Sequence, residues 1–179
     1  MIENIKDNKI KLIIADVDGV LTDGTIIKGS DNLELKKFCV QDGTGVVMAK
    51  TVGIHLAFIS GRFSIATKSR MDELNINDVY NGVLNKLIPY EELKIKYNLF
   101  DNQIAYIGDD LIDIPVMEKV GFPAAVQNAY PEVKEIADYI TKSNGGEGAF
   151  REFVEFLLKS MGIYNLCLDL MRNNLINNS

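Results

Sequence analysis

The sequence predicts an α/β fold, namely a three-layer sandwich with a parallel Rossmann-like sheet, a projecting β-hairpin and no cap domain. Three observations support this prediction. Short runs that are apolar throughout alternate with amphipathic helical patterns, as expected of strands that are covered on both faces. Polar residues follow three of these runs, where open parallel sheets bind their ligands. The 179 residues suffice for one domain with one core.

The strands are predicted from the apolar runs in chain order. The first, at 12–15, ends at Asp16, the second, at 55–59, ends at Ser60, and the third, at 104–107, ends at Gly108. Two further short strands are predicted at 123–126 and 138–141. The intervening patterns predict helices at residues 43–52, 64–74, 86–97, 111–120 and 130–137.

Two segments interrupt the alternation. Residues 25–38 place two short apolar stretches around a Gly-Ser-Asp-Asn turn at 29–32, which predicts the hairpin. A glycine-rich loop at 144–148 precedes a helix predicted at 149–159. We therefore divide the chain into a domain at 1–162 and a C-terminal extension at 163–179, which is mixed in character and then asparagine-rich, with a frayed end at 173–179.

Composition and charge exclude several classes of protein. Nineteen Lys+Arg against 25 Asp+Glu give a net charge of -6, which disfavours general nucleic-acid binding. No apolar run approaches the roughly 20 residues that span a bilayer, and the first eleven residues are too polar for a signal peptide. Two distant cysteines, Cys39 and Cys167, fit a reducing cytoplasm. The single histidine, His55, excludes a His-rich zinc site.

Acidic residues follow two of the predicted strands. Asp16 and Asp18 come after the first, and Asp109, Asp110 and Asp113 come after the third. The carboxyl ends of parallel strands meet at one edge, so these carboxylates converge there and repel one another. A site rich in oxygen ligands and without histidine suits Mg²⁺, which relieves that repulsion.

A phosphate ester is the natural substrate of such a site. Magnesium and Lys86, which begins the helix before the third strand, neutralise the phosphoryl oxygens, and the Ser60 hydroxyl and backbone N–H groups bind the remainder. Asp16 is placed to attack phosphorus and form an aspartyl-phosphate. Asp18 is placed to protonate the leaving alkoxide and then to deprotonate the attacking water.

These motifs in this order resemble the haloacid dehalogenase superfamily of phosphohydrolases. The motifs are DVDGVLT at 16–22, Ser60, Lys86 and GDDLID at 108–113. Three further features, SGR at 60–62, NG at 81–82 and NGGEGA at 144–149, are similar to the 3-deoxy-D-manno-octulosonate 8-phosphate phosphatase family. The resemblance extends from about residue 11 to residue 159 and includes the capless architecture.

The resemblance implies roles for the acidic residues. Asp16 is the nucleophile and a Mg²⁺ ligand, and Asp18 is the general acid/base whose backbone carbonyl also binds the metal. Asp109 is the third protein ligand. Asp113 supports the metal site from behind these ligands, within reach of a metal-bound water.

The resemblance also implies which residues bind the substrate. Ser60, the Gly61 backbone and Lys86 bind the phosphoryl group. Arg62 and Arg151 are candidates for the sugar carboxylate, because a guanidinium fork matches a carboxylate. The two remaining candidates for substrate contact are Arg70 and Gly146.

Spacing leaves no room for a cap domain between the motifs. Residues 16–60 hold the hairpin and one helix, and residues 60–86 hold about one helix and one strand. A capless monomer leaves its site open to water. The resemblance implies a homotetramer with hairpins at its centre, in which the glycine-rich tail and Arg151 close a neighbouring subunit's site, although the sequence leaves open whether Arg151 acts in its own subunit.

Alternatives to this interpretation remain open at the level of sequence. A 9-carbon sialic-type acid 9-phosphate is a rival substrate, although its phosphatases tend to carry glutamate where this chain has Arg62, and the long extension at 163–179 is a departure from the octulosonate enzymes. A non-catalytic oligomerisation module related to sialic-acid-activating synthetases is disfavoured by the intact motifs. A macromolecular phosphatase requires a monomer. Asp110 is equally consistent with a helix cap, and Ser60 also suits one.

Overall fold

Six strands form one parallel sheet in the computed structural model, which describes residues 10–31 and 33–177. The sheet strands are β1 (Leu12–Ala15), β4 (His55–Ser60), β5 (Asp78–Asn81), β6 (Ile104–Gly108), β7 (Phe122–Ala125) and β8 (Tyr139–Ile140). Their order is β5-β4-β1-β6-β7-β8. The predicted parallel sheet is confirmed, and β5 is the strand expected between Ser60 and Lys86.

The central strand β1 fixes the geometry of the functional edge. Its four residues are fully buried, as expected of a strand that packs on both faces. Ala15 pairs with Phe58 of β4 and with Ile107 of β6. The residues that follow these three strands therefore emerge side by side at one edge of the sheet.

Seven α-helices and two 3-10 turns surround the sheet in the described part of the chain. The helices are α1 (Val40–Thr51), α2 (Ile65–Glu73), α3 (Leu87–Tyr97), α4 (Ile114–Met117), α5 (Pro131–Glu135), α6 (Ala149–Ser160) and α7 (Tyr164–Asn177). The 3-10 turns are Asp101–Gln103 and Leu111–Asp113. The helix predicted at 111–120 is thus a 3-10 turn followed by the short α4, whose second residue, Pro115, has no N–H to donate.

The predicted hairpin is present but its paired strands are short. β2 (Ile27–Lys28) and β3 (Glu34–Leu35) are antiparallel, with Ile27 opposite Leu35 and Lys28 opposite Glu34. Four aliphatic side chains of the hairpin are about half exposed: Ile26, Ile27, Leu33 and Leu35.

The C-terminal extension is more regular than the mixed stretch that the sequence predicts, while its predicted fraying at 173–179 stays a prediction and residues 178–179 lie outside the described part. Residues 164–177 form α7, which packs on α1 and α6. Cys167 of α7 is buried, and its thiol donates a hydrogen bond to the Met48 carbonyl of α1 over 3.5 Å. The boundary at residue 162 stays a prediction. Within the described ranges, no helix is long and apolar enough to cross a membrane.

Candidate active site

Three carboxylates meet where β1 and β6 end. Asp16, Asp109 and Asp113 each offer an oxygen within 4.8 Å of the others. Asp16 and Asp113 are buried, and Asp109 Oδ1 is buried without a hydrogen-bond partner among the described residues. Burial, moderated by the charge of Lys86, raises the pKa of Asp16 to about 6. Burial and the charge of Asp16 raise the pKa of Asp109 to about 9.

These properties are those of a site for a hard divalent cation. Close, buried carboxylates resist ionisation together, and a metal ion removes that cost by supplying positive charge. The donors are all oxygens, which Mg²⁺ prefers. The residues present therefore fit the Mg²⁺ that the sequence predicts.

Lys86 connects two of the three carboxylates from within the protein. It is the residue before α3, and its side chain is fully buried. Its Nζ lies 2.7 Å from Asp16 Oδ1 and 2.6 Å from Asp113 Oδ1. Burial lowers the pKa of Lys86, but the charges of Asp16 and Asp113 outweigh that effect and raise it. Lys86 is therefore a fixed cation at the site.

Asp113 uses both of its oxygens within the protein. Oδ2 accepts hydrogen bonds from the backbone N–H groups of Asp109 and Asp110 at 2.9 and 3.2 Å. Oδ1 accepts from Lys86 Nζ and from the buried Tyr106 hydroxyl at 2.6 and 2.5 Å. This arrangement orients the Asp109 loop and Lys86, which suits the supporting role predicted for Asp113. No sequence pattern indicated a role for Tyr106.

Asp18 lies in a separate hydrogen-bonded group beside the three clustered carboxylates. Its Oδ1 is 2.5 Å from Lys36 Nζ, and its Oδ2 accepts from Ser60 Oγ over 3.3 Å. The Lys36 side chain is fully buried and also donates to Thr67 Oγ1 over 3.0 Å. Lys36 is a second site residue that the sequence analysis missed.

The loop after β1 is shaped by a glycine. Gly19 has φ +94°, and a Cβ there would lie 2.0 Å from Asp109 Oδ2. Thr22 Oγ1 accepts hydrogen bonds from the N–H groups of Gly19 and Gly24 at 3.3 and 3.2 Å. The lack of a side chain at Gly19 therefore lets Asp109 approach the loop. The hydrogen bonds to Thr22 hold the loop in shape.

The glycine-rich segment packs on this loop within the same chain. A Cβ at Gly145 would lie 1.6 Å from the carbonyl oxygen of Gly19, and one at Gly146 would lie 2.5 Å from the Asp23 nitrogen. The Gly146 N–H donates to the Val20 carbonyl over 2.9 Å. Gly146 is buried in this contact and permits close packing of two loops, and its predicted substrate role stays a prediction.

The arginines predicted to contact the substrate lie in two different places. Arg62, two residues after Ser60, donates through both terminal nitrogens to the Glu34 carboxylate, with Nη1 2.7 Å from Oε1. Gly61, beside it, faces the Ile112 side chain. Arg62 is the predicted carboxylate-binding residue that borders the acidic site.

Arg70 and Arg151 lie around the buried Asp42 of α1 instead. Asp42 Oδ1 accepts the backbone N–H of Arg151 over 3.0 Å, and the charges of both arginines act on its carboxylate. The side chains of Arg70 and Arg151 pair with Glu73 and Glu155 at 2.8 and 2.9 Å. Neither arginine makes a hydrogen bond or ion pair with the acidic site among the described residues.

Two capping alternatives are resolved by the geometry. Asp110 Oδ1 accepts the N–H of Leu111 over 2.7 Å, so Asp110 caps the 3-10 turn. Ser64 caps α2 by accepting from the Thr67 N–H over 3.4 Å. Ser60 is not that cap: its Oγ lies 2.8 Å from the Arg62 carbonyl oxygen and 3.3 Å from Asp18 Oδ2, and its one hydroxyl proton donates to either of these acceptors. Ser60 therefore faces the site.

The fold and the site together define a haloacid dehalogenase-like hydrolase: buried carboxylates, a buried lysine and a second aspartate at the ends of parallel strands. Residues 59–153 match the family model of the haloacid dehalogenase-like hydrolases. The 3-deoxy-D-manno-octulosonate 8-phosphate phosphatase of Escherichia coli (strain K12) is 46% identical over 157 residues, covering 88% of this chain and 84% of that protein. The chain belongs to this phosphatase family within the haloacid dehalogenase-like hydrolases.

Solved structures agree with this assignment. The 3-deoxy-D-manno-octulosonate 8-phosphate phosphatase of Yersinia pestis aligns with a TM-score of 0.87 and 40% identity, covering 92% of this chain and 88% of that one. The enzyme of Moraxella catarrhalis, solved with a magnesium ion, a phosphate ion and a KDO molecule, aligns with a TM-score of 0.89 and 38% identity. That alignment covers 95% of this chain and 97% of the other, so the capless architecture is shared throughout.

Proposed function

We propose that this protein is a magnesium-dependent phosphatase that hydrolyses 3-deoxy-D-manno-octulosonate 8-phosphate to the free sugar acid and inorganic phosphate. The observation that carries the proposal is the buried cluster of Asp16, Asp109, Asp113 and Lys86, in a chain 46% identical to phosphatases of that substrate. The step it catalyses belongs to lipopolysaccharide synthesis, and the two free cysteines support a cytoplasmic location.

The reaction has two displacements at phosphorus. In the first, a carboxylate oxygen of Asp16 forms a bond to phosphorus while the bond to the sugar oxygen breaks, and Asp18 gives its proton to the departing alkoxide. In the second, Asp18 takes a proton from water, whose oxygen attacks phosphorus and releases phosphate from Asp16. Bound Mg²⁺, held by Asp16, Asp109 and the Asp18 carbonyl, supplies positive charge against the phosphoryl oxygens.

The remaining site residues orient the substrate. Lys86 is held at the Asp16 carboxylate and supplies a second cation for the phosphoryl group. The Ser60 hydroxyl, 3.3 Å from Asp18, and the Gly61 N–H are donors on the neighbouring strand end. Arg62 binds the carboxylate of the 8-carbon sugar acid through its guanidinium fork.

We further propose that the protein assembles as a homotetramer through its hairpins. Ile26, Ile27, Leu33 and Leu35 expose about half of their surface on one short hairpin, and such apolar side chains gain stability when a second copy covers them. In this assembly Arg151 acts at a neighbouring subunit's site. Mixing inactive Asp16→Asn chains with Arg151→Ala chains tests this: recovered activity supports a shared site, and none contradicts it.

Asp16→Asn tests the proposed chemistry. The amide cannot act as the carboxylate nucleophile, so release of phosphate from octulosonate 8-phosphate should fall by about a thousandfold or more. Asp72→Asn is the matched control, because it makes the same change in charge at an exposed ion pair with Lys68 on α2. Retention of turnover by Asp16→Asn would contradict the covalent mechanism.

A further inference from the structure

The inner face of the hairpin already holds a carboxylate against Arg62. Residues 33–38 alternate between exposed and half-buried, so Glu34 and Lys36 lie on the same face, toward the site, while Leu33 and Leu35 face outward. Lys36 contacts Asp18, and Glu34 contacts Arg62. The hairpin therefore brings one anion and one cation to the edge of the active site.

The contact of Glu34 with Arg62 is the pairing that a substrate carboxylate would make. Both terminal nitrogens of Arg62 donate to the two oxygens of Glu34, which fills the guanidinium fork. The Glu34 side chain is only 13% exposed, whereas that of Arg62 is 39% exposed. A carboxylate arriving from solvent can reach Arg62, but Glu34 already occupies the bidentate position on the guanidinium group.

The surroundings of the pair provide room and a second partner. Glu34 and Arg62 both line a cleft of about 700 Å³ between the hairpin and the start of α2. Lys28, opposite Glu34 on the hairpin, places its Nζ 2.9 Å from Glu34 Oε2. Glu34 can therefore leave Arg62 and stay paired, which avoids leaving an unpartnered charge in the cleft.

We propose that Glu34 is a built-in competitor for the carboxylate subsite at Arg62, and that the sugar acid binds by exchanging its own carboxylate for that of Glu34. This inference rests on the proposed function, because it needs a substrate with a carboxylate. A ligand that carries one replaces the ion pair it breaks. A phosphate ester that lacks one leaves the pair intact, so Glu34 weakens the binding of carboxylate-bearing ligands only.

Calorimetric titration of the magnesium-loaded protein with 3-deoxy-D-manno-octulosonate tests the exchange without any turnover. Glu34→Gln keeps the size of the side chain but removes its charge, so the sugar acid should bind about fivefold more tightly. Asp72→Asn makes the same change in charge at an exposed ion pair outside this cleft and should leave the affinity unchanged. In an Arg62→Ala background, Glu34→Gln should add nothing, because the two residues act on one subsite.

The outcomes separate this inference from the proposed function. Equal or weaker binding by Glu34→Gln, or no binding by either protein, overturns the exchange. A second arm measures KM for octulosonate 8-phosphate and for p-nitrophenyl phosphate. Glu34→Gln should lower the KM for octulosonate 8-phosphate about fivefold relative to the KM for p-nitrophenyl phosphate. An equal change for both substrates also overturns it. Failure of the wild type to release phosphate from octulosonate 8-phosphate would refute the proposed function instead, since the titration needs no catalysis.

Discussion

Replacing Lys86 by methionine should destabilise the protein far more than an ordinary lysine substitution. The Lys86 side chain is fully buried, and its Nζ lies within 2.7 Å of both Asp16 and Asp113. Methionine has a similar length but no charge, so the variant leaves two buried carboxylates without their cation. Losing one partner of a buried ion pair costs about 3–5 kcal/mol, which for an m-value of about 2 kcal/mol/M lowers the urea midpoint by about 2 M.

Lys94→Met, on the helix that Lys86 precedes, is the matched control. Lys94 Nζ is 2.5 Å from Asp101 Oδ1, but the Lys94 and Asp101 side chains are 22% and 49% exposed. Water screens this pair, and its loss should cost below about 1 kcal/mol. Urea unfolding followed by circular dichroism measures both variants, with chelator and with Mg²⁺.

Magnesium should reduce the loss in Lys86→Met, because it supplies positive charge to the same carboxylates and stabilises only the folded state. The change in urea midpoint that Lys94→Met causes should be the same with Mg²⁺ and with chelator. Equal losses in the two variants, or a Lys86→Met loss that Mg²⁺ does not reduce, would refute the argument that the buried carboxylates depend on positive charge.

Three further predictions concern residues around the site. Tyr106→Phe removes a buried donor to Asp113 and should lower the free energy of unfolding by about 1–3 kcal/mol in urea titrations; an unchanged value would contradict the role of this hydrogen bond. Burial raises the pKa of Asp42 from 3.8 to about 6, so the folded state binds this proton more tightly and its stability falls as pH rises through that range. Relative to Asp42→Asn at saturating Mg²⁺, the wild type should lose about 1 kcal/mol between pH 5 and 7.5, and a constant difference would contradict the shift. Gly145→Ala, whose Cβ would lie 1.6 Å from the Gly19 carbonyl oxygen, should cost about 1–3 kcal/mol and reduce turnover; unchanged melting would contradict the close packing of these loops.

The strands at the centre of the sheet could be predicted because burial on both faces requires a run of residues that is apolar throughout. β1 and β6 are covered on both faces and are apolar throughout. β5 lies at the edge of the sheet, where Asp78 and Asn81 break the apolar run, so its bounds could not be predicted. α7 was missed because asparagines such as Asn173 weaken its pattern and its packing on α1 depends on tertiary contact.

The acidic site could be predicted for a related reason. Parallel strands bring their ends together, so a carboxylate after each strand is informative without knowledge of side-chain positions. Lys36 and Arg62 take their partners from segments 18 and 28 residues away, which no local pattern reports. The alternation of residues 33–38 does place Glu34 and Lys36 on one hairpin face, and it is the signal by which both contacts could have been sought.

Release of inorganic phosphate from a small panel of sugar phosphates tests the central claim most directly. The panel holds 3-deoxy-D-manno-octulosonate 8-phosphate, a sialic-type 9-carbon acid 9-phosphate and glucose 6-phosphate, each assayed with Mg²⁺ and with chelator. We expect release that requires Mg²⁺, with a kcat/KM for the 8-carbon acid at least about tenfold above the others. Release that persists in chelator, a preference for the 9-carbon acid, or no release by the folded, magnesium-loaded protein would contradict the account.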